Sequence, residues 1–219
     1  LTAAGTPVTR GYPLAPRAGE RVDHPHHVGM WFNFGDVNGL DFWNNSYAIP
    51  DKDRHHYGRV VHQEIIAASG GSREGLLSVR CDWMDSKGQV LLKEQTEFRF
   101  RGDGDLRIID RKTTLTAVSR VTFTDNKEGL LAIRMDRAFE EPVTEPEVFT
   151  DAAGRPTTVA SMNNEGVNGV YRSANGLSGG AVWGTRADWV SLSAKKGNEE
   201  ITVAMIDHPE NFGYPAHWH

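Results

Sequence analysis

The nine histidines of the chain fall into three groups. His24, His26 and His27 open the stretch "DHPHHVGMWFNFGDVNGLDFW", residues 23–43, which also holds Trp31, Asp36, Asp41 and Trp43 and lacks lysine and arginine. His55, His56 and His62 make the second group, and His208, His217 and His219 the third. Imidazole changes charge near neutral pH, so these residues suit proton transfer. A core needs fewer hydrogen-bonding groups than residues 23–43 offer, and a solvated loop needs less aromatic surface. The stretch therefore reads as one wall of a polar site for a sugar-like ligand. Indole covers the apolar C–H face of a sugar ring, while carboxylates and amides take its hydroxyls. On this reading Trp31, Asp36, Asp41 and Trp43 bind substrate, and His26 and His27 supply acid–base groups. Phe32 and Phe34 read more simply as core.

The other two groups carry a metal-site alternative. In "VVHQE", His62 and Glu64 stand two apart, so a regular strand would put them on one face. "HWH" does the same for His217 and His219. Such pairs on adjacent strands suit Zn, Fe(II), Mn or Ni, making His62, Glu64, His217 and His219 a candidate divalent-metal set. No compact HExxH motif is present, and the same residues serve equally well as walls or acid–base groups of a sugar site. His55 and His56, in "DKDRHHY", read as solvated.

Three further clusters contribute candidates. In "FTDNKEGLLAIR", Lys127 or Glu128 is either an acid–base group or part of a turn of solvated charges. "SMNNEGVNG" places Asn163, Asn164 and Glu165 in a polar loop, with Glu165 as a candidate substrate contact. "GTRADWVSLS" adds Arg186 and Trp189, Arg186 meeting either a substrate or an internal carboxylate. The candidate catalytic residues are thus His26, His27, His62, Lys127, Glu128 and His217.

These side chains need a β framework to position them. Alternating segments at 58–68, 76–85, 90–102, 105–118, 120–126, 129–135, 181–195 and 200–208 read as strands. In "TEFRF", Glu97 and Arg99 point one way and Phe98 and Phe100 the other. "DSKG" and "RGDGD" read as hairpin turns. "RMDRAFEEPV" has room for a short helical turn that Pro142 stops. Strands at this spacing, with 23 glycines and 10 prolines between them, indicate an all-β antiparallel β-sandwich. No fixed-period repeat or linker divides the chain, so residues 1–219 read as a single domain, with Leu1 beginning inside a longer product.

A net charge of −5 with no basic block argues against nucleic-acid binding. No apolar run reaches the ~18 residues of a membrane span. The single cysteine, Cys81, lies in an alternating segment and reads as an inert strand residue.

Taken together, "RGYPL", "DHPHHVGMWF", "GDVNGLDFW", "VHQE", "DNKEGLLAIR", "NNEG", "RADWV" and "DHPENFGYPAHWH" resemble a bacterial family labelled methane oxygenase PmoA, otherwise a domain of unknown function. The likeness runs over essentially the whole chain. It implies a β-sandwich akin to the galactose-mutarotase group, a role in saccharide metabolism, and a further strand after "HWH" that this chain lacks. It supplies no catalytic residue. The expectation is a carbohydrate-active protein using His and carboxylate chemistry on a small sugar or oligosaccharide, as an epimerase, lyase or hydrolase. The alternatives are a non-catalytic carbohydrate-binding module and a metal-dependent cupin-like enzyme. A periplasmic or other extracytoplasmic location fits such a role, and the oligomeric state stays open.

Overall fold

A computed structural model of the chain describes residues 1–145, 148–151, 153, 155–157 and 164–219. Its regular structure is almost all β, and every pairing between strands is antiparallel. Contacts group the chain into two compact units, Leu1–Pro7 with His24–Arg134, and Val8–Asp23 with Met135–His219. Among the described residues no helix is long and apolar enough to cross a membrane.

The first unit holds a two-stranded ribbon of β1 (Met30–Phe34) and β6 (Gly129–Ile133). It also holds a meander of β2 (Arg59–Ser69), β3 (Glu74–Met84), β4 (Val90–Asp103) and β5 (Leu106–Ala117), in that spatial order. The hairpin at "DSKG" is closed by Asp85, whose Oδ1 accepts from the backbone N–H groups of Lys87 and Gln89. Period-two alternation then sorts the side chains of β4. Leu92, Glu94 and Thr96 are buried on one face, while Lys93 and Gln95 are exposed on the other. Phe98 and Phe100 extend the inner face, their rings 6.0 Å apart and nearly parallel. The core is Val37, Phe42, Trp83 and Leu92, with Phe32 and Phe34 of β1 packed onto it.

A buried carboxylate sits in that core. Glu94 accepts from the indole Nε1 of Trp83 at 2.8 Å, from the Thr96 hydroxyl at 2.6 Å and from Arg111 Nη2 at 2.9 Å. The Arg111 guanidinium lies 4.4 Å from the ring centre of Phe32 and 5.2 Å from that of Phe98. Burial pulls Arg111 below the usual guanidinium value, against the opposing pull of Glu94. Cys81, directly opposite Glu94 in the register, behaves as its alternating context predicts. Burial and then the Glu94 charge push its thiol up, away from the reactive thiolate.

The second unit holds the sheet of β7 (Val170–Ser173), β8 (Trp189–Lys196) and β9 (Glu199–Ile206). Leu192 and Ala194 bury one face against Phe139, which sits at the end of a short 3-10 turn, Arg137–Phe139. The turn occurs where "RMDRAFEEPV" predicts one, capped by the Asp136 carboxylate on Ala138 N–H. Asp136 also meets Lys196 Nζ at 2.7 Å and Arg17 Nη2 at 3.1 Å. Glu20, almost fully buried, accepts from the backbone N–H groups of Gly11, Tyr12 and Arg17 and from Arg17 Nε.

The strand expectations meet four differences, one being that β7 falls in no expected segment. Residues 120–126 form only an isolated bridge, Phe123 with Val37. The segment at 181–195 is a strand only from Trp189, because residues 179–182 form a 3-10 turn. β1 has no polar alternation to announce it, since both its faces are partly covered.

Two predictions follow from the buried carboxylates. Replacing Glu94 by Ala strands the Arg111 charge in an apolar setting, and should cost about 3–5 kcal/mol in urea denaturation. For Glu20, burial alone would raise the carboxyl. The Gly11 and Arg17 N–H groups and the Arg17 guanidinium outweigh it and hold the group below its ordinary value of 4.5. A depressed folded value stabilises the fold above 4.5 and loses that contribution as pH falls through the lower, folded value. Glu20→Gln should lower stability at pH ~7 by roughly 1–3 kcal/mol and flatten the stability loss below pH ~4.5 seen in denaturation curves.

Candidate functional site

The site at residues 24–43 is built from a turn and a strand. Pro25 occupies the second position of a β-turn, closed by the His27 N–H on the His24 carbonyl at 3.0 Å. Proline fixes φ for that position, so "HPHH" is pre-set to fold back. The turn brings His24 and His27 together with ring centres 4.8 Å apart and planes 11° from parallel. His27 continues the stack onto Trp31 at 4.5 Å and 16°. His26 meets His27 edge-on at 4.4 Å, and Trp43 meets Trp31 edge-on at 5.4 Å. Three imidazoles and two indoles thus form one continuous cluster inside the first unit.

Strand alternation aims it. Phe32 and Phe34 face the core of the unit, so Trp31 and Asn33 face the other way. Their partners across the ribbon are Ala132 and Leu130, neither of which offers a polar side chain. Trp31 Nε1 and Asn33 Oδ1 are buried, and neither has a hydrogen-bond partner among the described residues. Two close approaches hold the frame. A Cβ on Gly129 would lie 2.3 Å from the Phe34 ring, and one on Gly58 would lie 2.2 Å from the Phe42 ring.

Four predicted site residues, His26, His27, Trp31 and Trp43, come together here. Asp36 and Asp41 shape the backbone beside them. Asp36 Oδ1 accepts from Gly39 N–H, and Asp41 accepts from the backbone of Trp43 and Asn44 and from the Asn44 amide. Lys127 is exposed and pairs with its neighbour Glu128 at 3.3 Å, in the loop entering β6.

His62 and Glu64 do not share a face, contrary to the spacing argument. The register pairs His62 with Cys81 and Glu64 with Arg80, and a bulge takes up Gln63. Cys81 and Arg80 are adjacent and point opposite ways, so their partners do too. Glu64 instead bonds Arg80 Nε at 2.8 Å. Among the described residues, no group of three or more His, Cys, Asp or Glu side chains is placed to hold a metal ion.

The second unit contains Glu165, Arg186, His217 and His219. Arg186 and His217 form a bridge between "GTRADW" and "HWH". Arg186 Nε donates to His217 Nε2 at 3.0 Å, and its Nη1 donates to the carbonyls of Gly213 and Pro215, both at 2.7 Å. His217 Nδ1 lies 3.2 Å from the Gly184 carbonyl, so that nitrogen carries the proton and both ring nitrogens are engaged. Trp218 Nε1 donates to the Ala187 carbonyl at 2.7 Å. His219 packs edge-on to the exposed Trp183. Nearby, a hydrogen bond to Asp188 pushes the Tyr214 phenol up. Glu165 sits in an exposed turn, Asn164 bonds the Val143 backbone in both directions, and Asn163 lies outside the described residues.

The spacing argument did not single out Asn33, or His24 as the outer ring of the stack. Reading "MWFNF" as a strand would have found Asn33 on the Trp31 side.

Arg186 works as a latch on the "HWH" segment. Arg186→Ala should free three acceptors at once. The amide protons of Gly184 and Trp218, which close that bridge, should exchange at least about tenfold faster by hydrogen-exchange mass spectrometry, a local loss of roughly 1.4 kcal/mol.

No curated protein and no solved structure matches the chain. A family model does match, across residues 1–219, so the chain belongs to a family of unknown function, DUF6807.

Proposed function

We propose that this chain is a carbohydrate-active protein whose ligand binds at the His24–Trp43 cluster of the first unit. One observation carries the reading: His24, His26, His27, Trp31 and Trp43 are joined in one run of ring contacts, with His27 linking the histidines to the tryptophans. Aromatic faces beside clustered imidazoles suit a sugar, which offers C–H surface to the rings and hydroxyls to the nitrogens. Histidine also titrates in the range useful for moving a sugar proton, which favours an epimerase or lyase with His26 and His27 as the acid–base pair. The expected likeness to galactose-mutarotase sandwiches belongs to this same reading.

A non-catalytic binding module is the second reading. It is favoured by the carboxylates: Asp36 and Asp41 bond the backbone of their own turns, and Lys127 and Glu128 pair with each other.

The test is a panel of mono-, di- and keto-saccharides incubated with the protein in deuterated water and followed by NMR. Exchange of a sugar C–H, lost in His26→Gln and His27→Gln while binding persists, is the expected result. Binding without exchange, retained in both variants and weakened about tenfold or more by Trp43→Ala, selects the module. Absence of binding to every saccharide removes both readings.

A further inference from the structure

We infer that the end of the meander's inner face beyond Arg111 is a docking surface for another protein, and that the element it takes is an amphipathic helix with acidic flanks. The surface lies wholly inside the first unit. It does not use the His24–Trp43 cluster and stands apart from the saccharide reading.

The two faces of the meander differ. An antiparallel sheet commonly packs one face and leaves the other to solvent. On the solvent face charges close on one another: Arg80 pairs with Glu64, Arg99 with Glu74 and Glu97, and Arg101 with Asp110. The inner face buries Leu92, Glu94 and Thr96, and Phe32 of the ribbon lies over Arg111. Past Arg111 the same face emerges into solvent while staying apolar. The register sets Ile65 opposite Val79, Leu77 opposite Phe98, and Phe100 opposite Ile109. Ile65 is 60% exposed, Phe100 40% and Ile109 51%. The Phe98 and Phe100 rings lie 6.0 Å apart, which joins these pairs into one patch across four strands. Contiguous exposed apolar surface of this kind marks an interaction site.

Charge identifies the occupant. Arg107 ends this face opposite Gly102, and its Nη1 donates to the carbonyls of Gly104 and Leu106. An open hollow of about 440 Å³ lies there, lined by Phe100, with Arg73, Arg101 and Arg107 against Glu74 and Asp103. The two acids stand opposite Arg101 and Leu106, on the solvent face of the sheet. On the inner face of the four strands the one carboxylate is Glu94, which is buried and taken by Arg111. An apolar patch bordered by arginine, with no carboxylate free to answer it, is complementary to an acidic partner. Two copies packed by this face would bring arginines and no acids to the interface. Size identifies the element. Three strand spacings of about 4.8 Å make the face about 14 Å wide, close to the diameter of a single helix with its side chains. This chain has no such helix to offer a second copy. Among the described residues its helical segments are 3-10 turns of six, three and four residues.

The experiment uses the full chain and three synthetic peptides of about 18 residues, long enough to hold a helix. All three carry the same leucine stripe, flanked by glutamate, glutamine or lysine. Binding is read by fluorescence anisotropy at low salt, and the folding of each variant by its urea midpoint. The glutamate peptide should bind at least about tenfold more tightly than either of the others. Ile109→Asp, made at an exposed side chain, should abolish that binding and leave the urea midpoint near that of the parent. Arg107→Glu should reverse the order and favour the lysine peptide, a gain that misfolding cannot imitate. Equal binding of all three peptides, binding of none, or binding indifferent to both variants overturns the inference. Self-association in sedimentation that Ile109→Asp abolishes also overturns it, because the occupant is then a second copy of the chain.

Discussion

Glu94 is a carboxylate placed where water cannot solvate it, and much of the first unit follows from how it is satisfied. A buried charge is tolerated only when paired and fully hydrogen-bonded. Trp83, Thr96 and Arg111 supply those bonds from three strands of the meander. Arg111 needs its own cover, and two phenylalanines provide it, Phe98 from β4 and Phe32 from the ribbon. The Phe32 ring is the link to the site. Once it faces Arg111 and Trp83, alternation leaves Trp31 and Asn33 no choice but the opposite face of β1. A one-residue slip of the ribbon would bury Trp31 and Asn33 against the core and send both phenylalanines to the histidines. The ion pair thereby specifies register as well as contributing cohesion.

The second unit solves its buried-charge problem locally. Glu20 gathers donors from Gly11, Tyr12 and Arg17, all within nine residues of it in sequence. Arg17 also reaches Asp136, which Lys196 approaches from the end of β8. The "HWH" segment is fastened differently, by a guanidinium that reads two carbonyls and one imidazole. Lysine carries the charge but not the fork of donors, so it could not hold all three acceptors at once. With His217 engaged at both ring nitrogens, this histidine belongs to the architecture of the segment, although its spacing from His219 resembles a ligand pair.

What was legible in the sequence depended on range. The four long strands β2–β5 were plain from their length, their bounding turns and, most clearly in β4, the alternation of buried and exposed residues. The "HPHH" turn and the density of aromatics after it foreshadowed the ring stack, which joins residues only seven apart from His24 to Trp31. Phe32 and Phe34 were correctly read as core. The His62–Glu64 pairing failed because a bulge adds one residue to β2, and nothing in "VVHQE" announces it. Asp36 and Asp41 look like ligands by composition, yet Asx-type turns use the same residue for the same hydrogen-bonding capacity. The union of Arg186 with His217 spans 31 positions, and spacing holds no trace of a partner at that separation.

The local origin of the cluster bears on its chemistry. Stacking fixes the planes of His24, His27 and Trp31, which confines each imidazole nitrogen to the rim of the column. Among the described residues no group of three or more His, Cys, Asp or Glu side chains is placed to hold a metal ion, His24, His26 and His27 included. Protonation of His27, whose ring meets both Trp31 and Trp43, would strengthen those contacts through the ring quadrupole.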